Sequence, residues 1–252
     1  MYDRPDVPKG GAHTNVIAAV VLVVIAVAGA ALVSTLWRLA NTNTALGDKD
    51  LASAVSASTG STDTVAELGT SVGYVPTGDS LTTVLFVVTP DKNTGSLADL
   101  YLAVLNETKQ TSQLVQVPVD ARLQANGQTN SMATIYASGA SASLAATIST
   151  VCGIPVSHVV VMSQSGWNAF MDAAGQGASA LAGKSDEVVR GIVKSDLDTG
   201  ELLDLATRAL DAGLTKDAAV VPATESADDG GAAVKEMLPS DIAIIVGALT
   251  AR

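Results

Sequence analysis

The chain has few cysteine, aromatic and basic residues, and these scarcities exclude several classes of protein. Its 252 residues contain one cysteine, Cys152, so no intrachain disulfide can form. No histidine or second cysteine stands near Cys152 at metal-ligand spacing, and we interpret it as a small buried apolar residue. Only 14 basic residues stand against 25 acidic ones. Because nucleic-acid interfaces need clustered cations, we expect no nucleic-acid partner, and any other anionic partner would need a local basic pocket.

Aromatic residues make up only 3% of a chain that is 48% hydrophobic. The core is therefore expected to consist of small aliphatic side chains, which suits an α/β fold. The length fits one domain with appendages.

One long apolar run lies near the N-terminus. Residues 16–37 carry no charge, and only Ser34 and Thr35 are polar. About 20 apolar residues span the hydrocarbon core of a bilayer, whereas a signal peptide has a shorter apolar core. We predict a transmembrane helix over residues 16–37. Flanking positive charges nearly balance, but the short tail and long C-terminal part favour a cytoplasmic tail at 1–15 and an extracytoplasmic domain.

The remainder divides into a polar part and a compact part. Residues 38–80 are rich in Ser, Thr, Ala and Gly, which predicts a stalk with one short helix near 51–55. Residues 81–252 predict a three-layer α/β/α sandwich with a mixed central sheet, from strands and helices that alternate along the chain. The strands are expected at 81–88, 97–106, 113–119 and 156–164, the helices at 142–151, 166–175 and 202–214, a polar loop at 221–233, and a final strand or helix at 241–249.

The stretch "GIPVSHVVVMSQSGWNAFMDAAG", residues 153–175, gathers the rarest residue types. A serine hydrolase would need G-x-S-x-G at a strand-to-helix turn, and "MSQSGW" does not fit that pattern. His158 begins the same strand that leads into the serines, so it is badly placed as their base. We interpret His158, Ser165 and Trp167 as structural residues.

Three carboxylates are expected at strand ends or turns. Asp91, Asp99 and Asp120 are of the type that binds a hard cation such as Mg²⁺, and a sheet could bring them together. Any three acidic residues can meet this description by chance, so the residues alone leave the metal site open.

Several blocks, taken in order, resemble the LytR-CpsA-Psr (LCP) family, also described as the cell envelope-related transcriptional attenuator domain. The resemblance runs from about Val84 to Leu210, and 153–175 is its clearest part. The family shows a strand ending near an Asp, then R-x-D-T and a strand running into I-P-R-D, then K-I-N-A-A-Y-A-x-G-G, and finally L-G-I-x-I-D-H-Y-V-V-V-x-F-x-G-F. The corresponding blocks here are "LTTVLFVVTPD", "ADLYLAVLNETKQTSQLVQVPVDARL", "TIYASGA" and "GIPVSHVVVMSQSGWNAFMDAAG".

This resemblance implies a membrane-anchored phosphotransferase of the bacterial cell envelope. Family members move a glycopolymer from a polyprenyl-pyrophosphate carrier to peptidoglycan, using Mg²⁺ and arginines that hold the pyrophosphate. Asp99 matches the acid of R-x-D-T and Asp120 that of I-P-R-D, while Asp91 lies near the acid after the first strand. Arg122 and Arg190 are the remaining candidates for phosphate binding.

Most of the basic positions that the resemblance implies are replaced. The residues at these positions are Leu97, Val119, Ser131, Ile192, Glu201 and Asp204, and Ala133 stands at the Asn of K-I-N. Ile192, Glu201 and Asp204 lie in "VVRGIVKSDLDTGELLDLA", which resembles, with a one-residue slip, the family's V-R-x-R-x-x-D-x-D-F-G-R-x-x-R-Q. Losing one electrostatic donor at a developing charge commonly costs ~10² to 10³ in rate. The resemblance therefore implies a divergent member that is degenerate in catalysis.

Three hypotheses follow. The first is a membrane-anchored binding or regulatory protein of envelope assembly, whose partner is a polyprenyl-linked glycopolymer or an envelope-assembly protein. The second is an active Mg²⁺-dependent phosphotransferase with relocated cations. The third is an unrelated α/β accessory domain.

Overall fold

A computed structural model describes residues 46–57, 60–91, 95–125, 128–228 and 230–252, all within one compact unit. The predicted tail at 1–15, the predicted transmembrane helix at 16–37 and the first part of the predicted stalk lie outside the described residues.

Eight helices and twelve strands occur in the described part. The helices are α1 Lys49–Ala57, α2 Thr62–Val72, α3 Met132–Cys152, α4 Gln164–Ala174, α5 Ala178–Gly183, α6 Ser185–Gly191, α7 Thr199–Asp211 and α8 Pro239–Ile245. The strands are β1 Tyr74–Pro76, β2 Leu81–Thr89, β3 Asp99–Asn106, β4 Thr111–Gln116, β5 Arg122–Ala125, β6 Gln128–Ser131, β7 His158–Ser163, β8 Ile192–Ser195, β9 Ala219–Val220, β10 Thr224–Ala227, β11 Ala233–Met237 and β12 Leu249–Ala251.

A six-stranded mixed sheet with the order β8-β7-β2-β3-β4-β9 forms the middle of the domain. β2 pairs antiparallel with β3 along eight residues, from Leu81 opposite Asn106 to Val88 opposite Asp99. On its other side β2 pairs parallel with β7. Continuous apolar strands such as β2 are expected where both faces of a sheet are covered.

Helices cover both faces of this sheet. Leu85 and Val87 of β2 pack in a core shared with residues of α1, α2, α3 and α8. Val84, Phe86 and Val88 point into a second core shared with α4, α5, α6 and α7. The predicted three-layer α/β/α sandwich with a mixed central sheet is confirmed.

Two smaller sheets accompany the large one, with the orders β10-β11-β5-β6 and β1-β12. The predicted polar loop at 221–233 is wrong in part, because Thr224–Ala227 form β10 and Ala233 begins β11, and these two strands pair antiparallel. β10 is almost fully exposed, so its sequence lacks the alternation of apolar and polar residues that predicts a half-buried strand. The final apolar run divides into α8 and β12.

The predicted stalk is wrong over residues 46–57 and 60–80, because this segment packs on the domain. Leu51 and Val55 of α1 and Val65 of α2 are buried in the first core. A Cβ at Gly60 would lie 2.4 Å from the Pro155 nitrogen, so the backbones touch there. Leu51 and Val55 are spaced by four on a short helix and are surrounded by polar residues, so the sequence pattern of a packed helix is weak there.

The longest helix, α3, begins ten residues before its predicted start. Inside it the backbone is non-helical at Gly139 and Ala140, where Ala140 has φ 55° and ψ −149°. This region favours glycine and strains an alanine. By length and composition α3 alone among the described helices could cross a membrane, but Leu144 and Ile148 on it are fully buried, as in a core helix.

We predict that Ala140→Gly stabilises the domain. Removing the Cβ relieves strain of about 1 to 3 kcal/mol, less the extra entropy that glycine gives the unfolded chain. A net gain of ~1 kcal/mol raises Tm by ~2–4 °C, measured by thermal unfolding followed by circular dichroism. The control Ala137→Gly, at an exposed helical position of α3, should lower Tm. A lowered Tm for Ala140→Gly would contradict the strain.

The single cysteine lies at the end of α3. Cys152 is fully buried, and burial raises the pKa of its thiol to about 12. Because the thiolate is the reactive form, we predict that a thiol reagent at pH 8 leaves the native chain unmodified and titrates one thiol in denaturant. Rapid modification of the native chain would show that this part of the core opens readily.

Candidate functional site

Two of the predicted site residues, Asp91 and Asp99, lie where the inner strands of the six-stranded sheet end. β2 and β7 run parallel and reach the same end of the sheet, with Thr89 opposite Ser163. Asp91 follows β2, and its backbone carbonyl accepts a hydrogen bond from the Thr89 hydroxyl at 2.7 Å. Asp99 begins β3 opposite Val88, and its Oδ1 accepts a hydrogen bond from Gln116 Nε2 at 3.4 Å.

A large cavity lies beside the four-stranded sheet and the start of α3. This cleft, as we call it below, has a volume of about 730 Å³ and is open to solvent. Two of the predicted site residues, Asp120 and Arg122, line it. The other lining residues are Thr129, Asn130, Ser131, Ala133, Thr134, Glu225, Ala233, Val234 and Lys235.

The charges of the cleft are arranged in pairs. Lys235 Nζ on β11 lies 2.9 Å from Asp120 Oδ2. Arg122 Nη2 at the start of β5 lies 3.5 Å from Asp228 Oδ2, in the turn between β10 and β11. Glu225 on β10 adds a further negative charge to the lining. Both cations of the cleft are therefore matched by carboxylates of the same chain.

These contacts shift the titration of the paired groups. The hydrogen bond from Lys235 holds the pKa of the Asp120 carboxyl below its ordinary value, and the same bond raises the pKa of the Lys235 ammonium. The pKa of Asp228 is also lowered, first by the hydrogen bond from the Ala232 N–H and further by those from the Gly230 N–H and Arg122. Asp228 thus both closes the β10–β11 turn and faces Arg122.

Arg190 lies elsewhere. It ends α6, is exposed, and its Nε donates to the Asp186 carbonyl at 3.1 Å. The next residue, Gly191, touches the start of α4, where a Cβ on Gly166 would lie 2.5 Å from the Gly191 Cα. Arg190 is therefore placed beside the start of α4 and is not among the residues that line the cleft.

The structure brings together only part of the predicted constellation. Asp120 and Arg122 share the cleft, whereas Asp91, Asp99 and Arg190 are not among its lining residues. Within the described ranges no three His, Cys, Asp or Glu side chains form a group suited to a metal ion. Mg²⁺ binding stays a prediction, and no chemical step below depends on it.

The stretch 153–175 has structural contacts throughout. His158 Nδ1 lies 2.9 Å from Asp196 Oδ2, while Asp196 Oδ1 accepts a hydrogen bond from the Val159 N–H at 2.7 Å. His158 and Ser163 stand at opposite ends of β7, about 16 Å apart at ~3.3 Å per residue, too far for a serine and its base. Ser163 caps α4, its hydroxyl accepting from the Gly166 N–H.

Trp167 packs in an aromatic cluster on the second face of the sheet. Its ring stacks on Tyr101 with centroids 4.5 Å apart and contacts Phe86 at 5.2 Å and Phe170 at 5.6 Å. The cluster includes both phenylalanines of the chain. Such rings bury large apolar areas and fix how α4 lies on the sheet.

Sequence reasoning missed Lys235, Glu225 and Asp228, because Glu225 and Asp228 fall in the predicted loop and no element is predicted at Lys235. The signal available was the run "ATESADDGGAAVKEM", in which two short segments flank Asp and Gly residues, a composition typical of hairpin turns. Only the fold brings this hairpin next to Asp120 and Arg122.

No protein-family model and no curated protein matches the chain. Solved structures with a similar fold exist. Protein gbs0355 from Streptococcus agalactiae is 8% identical, with a TM-score of 0.50 over 62% of this chain and 82% of that one. TagV from B. subtilis is 12% identical, with a TM-score of 0.49 over 67% and 95% of the two chains. TagT bound to LI-WTA is 13% identical, with a TM-score of 0.48 over 67% and 88%, and TagT is a B. subtilis protein. The similarity to gbs0355 shows a shared fold.

We predict that Lys235→Gln raises the pKa of the Asp120 carboxyl toward the ordinary value of an aspartate, because the hydrogen bond from Lys235 is what chiefly lowers it. A carboxyl with a lowered pKa stabilises the fold above its unfolded pKa and loses that contribution as the pH falls, so the variant should also lose a small acid-dependent stabilisation. The shift is measured by NMR titration of the Asp120 carboxyl carbon.

Lys194→Gln serves as the control, because Lys194 pairs with Asp48. It should leave the Asp120 titration unchanged. An Asp120 pKa that does not move in Lys235→Gln would contradict the contact.

Proposed function

We propose that the chain is a membrane-anchored, catalytically degenerate member of the LCP family that acts in bacterial cell-envelope assembly as a binding or regulatory protein. The main support is that most positions at which the family motifs have a lysine or arginine hold, in this chain, residues engaged in packing, helix capping or surface ion pairs.

Three of the replacements are apolar and belong to the cores. Leu97 and Val119 are partly buried against the first core, and Ile192 is 5% exposed in the second. A guanidinium at Ile192 would be withdrawn from water, which is unfavourable, and one at Leu97 or Val119 would replace apolar contacts with the core. Local packing at these sites has therefore diverged together with the charge.

Three other replacements act at helix termini or in surface pairs. Ser131 caps α3, its hydroxyl accepting from the Thr134 N–H at 3.1 Å. Glu201 completes a capping box with Asp198 at the start of α7. Asp204 pairs with Arg208 one turn further along the same helix. Each residue has a local structural use that an arginine or lysine at that position would not provide.

The remaining cations give little to phosphoryl transfer. Catalysis of that reaction rests on cations aimed at the developing charge, and losing one such donor costs ~10² to 10³ in rate. Arg122 and Lys235 are already engaged by Asp228 and Asp120. The losses of rate from several missing cations do not add simply. The cleft nevertheless keeps polar side chains suited to binding, and its two cations are paired with carboxylates.

The proposed topology follows from the sequence. The apolar run at 16–37 would anchor the chain in the cell membrane as a single pass, with residues 1–15 in the cytoplasm and the folded domain outside. A polyprenyl-linked glycopolymer or an envelope-assembly protein is the partner that this placement favours.

The second candidate is an active Mg²⁺-dependent phosphotransferase that moves a glycopolymer from a polyprenyl-pyrophosphate carrier to peptidoglycan. It is favoured by the meeting of Asp120, Arg122 and Lys235 in one cleft. It is less well supported, because Arg190 and Asp99 do not line that cleft.

We predict that the full-length chain, purified in a mild detergent, releases no phosphate from a polyprenyl pyrophosphate in the presence of Mg²⁺. Release is measured over hours against a sample without protein, which detects rates far below those of ordinary enzymes. The same assay is run on Asp99→Ala. Mg²⁺-dependent release by the wild type that disappears in Asp99→Ala would overturn the proposed loss of catalysis.

A further inference from the structure

We infer that the cleft is an anion site whose two cations are held by carboxylates of the chain itself, so that Asp120 and Asp228 suppress the binding of phosphate-bearing ligands. This inference rests on the proposed function, because it takes the cleft as the binding site. It attributes weak anion binding to the carboxylates that are present in the cleft, in addition to the arginines that are replaced.

The two ion pairs join segments that are distant in sequence. Lys235 and Asp120 are separated by 115 residues, and Arg122 and Asp228 by 106. Both pairs link the β10–β11 hairpin to the segment that ends in β5. Among the described residues that line the cleft, Lys235 and Arg122 are the only lysine and arginine, and each belongs to one of these pairs.

The net charge of the cleft opposes an anion. Two cations face Asp120, Asp228 and Glu225, and the field of Glu225 also contributes to the raised pKa of Lys235. A chain with a net charge of −11 adds a general repulsion. An incoming phosphate group therefore competes with a carboxylate for the charge of each cation.

Such an exchange is feasible because the pairs are exposed. The side chains of Lys235 and Asp120 are 52% and 62% exposed, and ion pairs in water are weak. Multivalent phosphate oxygens bind guanidinium and ammonium groups well once these are free. The carboxylates thus act as internal competitors for a ligand of the phosphate or pyrophosphate class.

The test measures the binding of inorganic pyrophosphate to the full-length chain by isothermal titration calorimetry, without Mg²⁺. The variants are Asp120→Asn, Asp228→Asn and the double variant. Asparagine keeps a carbonyl that can accept the hydrogen bonds from the Gly230 and Ala232 N–H groups, so the turn should persist. Circular dichroism and Tm confirm that each variant is folded.

Asp48→Asn is the matched control. Asp48 pairs with Lys194 at 3.2 Å and accepts a hydrogen bond from the Leu51 N–H, so it combines an ion pair with a backbone cap as Asp228 does. It is not among the residues that line the cleft. Its substitution changes the net charge by the same amount as each single variant.

We expect the double variant to bind pyrophosphate roughly fivefold to tenfold more tightly than the wild type, with each single variant between them. Asp48→Asn should stay within about twofold of the wild type. A second titration with a short-chain prenyl pyrophosphate distinguishes the source of the ligand. An equal gain indicates that the pyrophosphate group alone is recognised, and a larger gain indicates a lipid headgroup.

Two results would overturn the inference: equal pyrophosphate affinity in the wild type and the double variant, or an equal gain in Asp48→Asn. Neither depends on turnover. A wild type that hydrolyses polyprenyl pyrophosphate defeats the proposed function, whereas unchanged affinity in the double variant defeats only the inference about the carboxylates.

Discussion

The central strand β2 is the constraint on which the arrangement depends. It pairs with β3 on one side and β7 on the other, and its residues point alternately into two separate cores. Because both faces and both edges are occupied, β2 allows no polar side chain along most of its length, and only its ends are free to carry polar groups. The carboxylates Asp91 and Asp99 lie at one such end for this reason.

The cleft lies in a different environment from the strand ends that carry Asp91 and Asp99. It lies next to a small, mostly exposed sheet whose strands contribute charged and hydroxyl side chains. Its cations come from β5 and β11, and both are engaged by carboxylates. The geometry is that of a polar surface whose cations are paired with carboxylates.

How far the sequence predicts the structure depends on how local the signal is. β2 and β7 are visible as continuous apolar, β-branched runs, and the structural interpretation of His158 follows from its place on β7. A short helix near 51–55 was predicted and α1 forms there, but its packing on the domain was not predicted, since Leu51 and Val55 are sparse apolar residues among polar ones. The break at Ala140 depends on backbone dihedrals that composition does not reveal.

The cleft itself was the hardest feature to predict. Asp120 and Arg122 could be named from the sequence, because they follow a strand and match or adjoin a motif. Their partners could not, because they are more than 100 residues away. Lys235 lies on β11 and Asp228 in the β10–β11 turn, where the sequence shows no apolar pattern. Contacts of that range exist only once the hairpin has docked beside β5.

The most direct measurement of the central claim is the NMR response of the Arg122 and Lys235 side-chain nitrogens when pyrophosphate is added to the wild-type chain. Both resonances are expected to stay at the positions set by Asp228 and Asp120 until pyrophosphate reaches roughly millimolar concentration. Shifts of both resonances at micromolar pyrophosphate would show that the cations of the cleft are free and that the carboxylates do not compete for them.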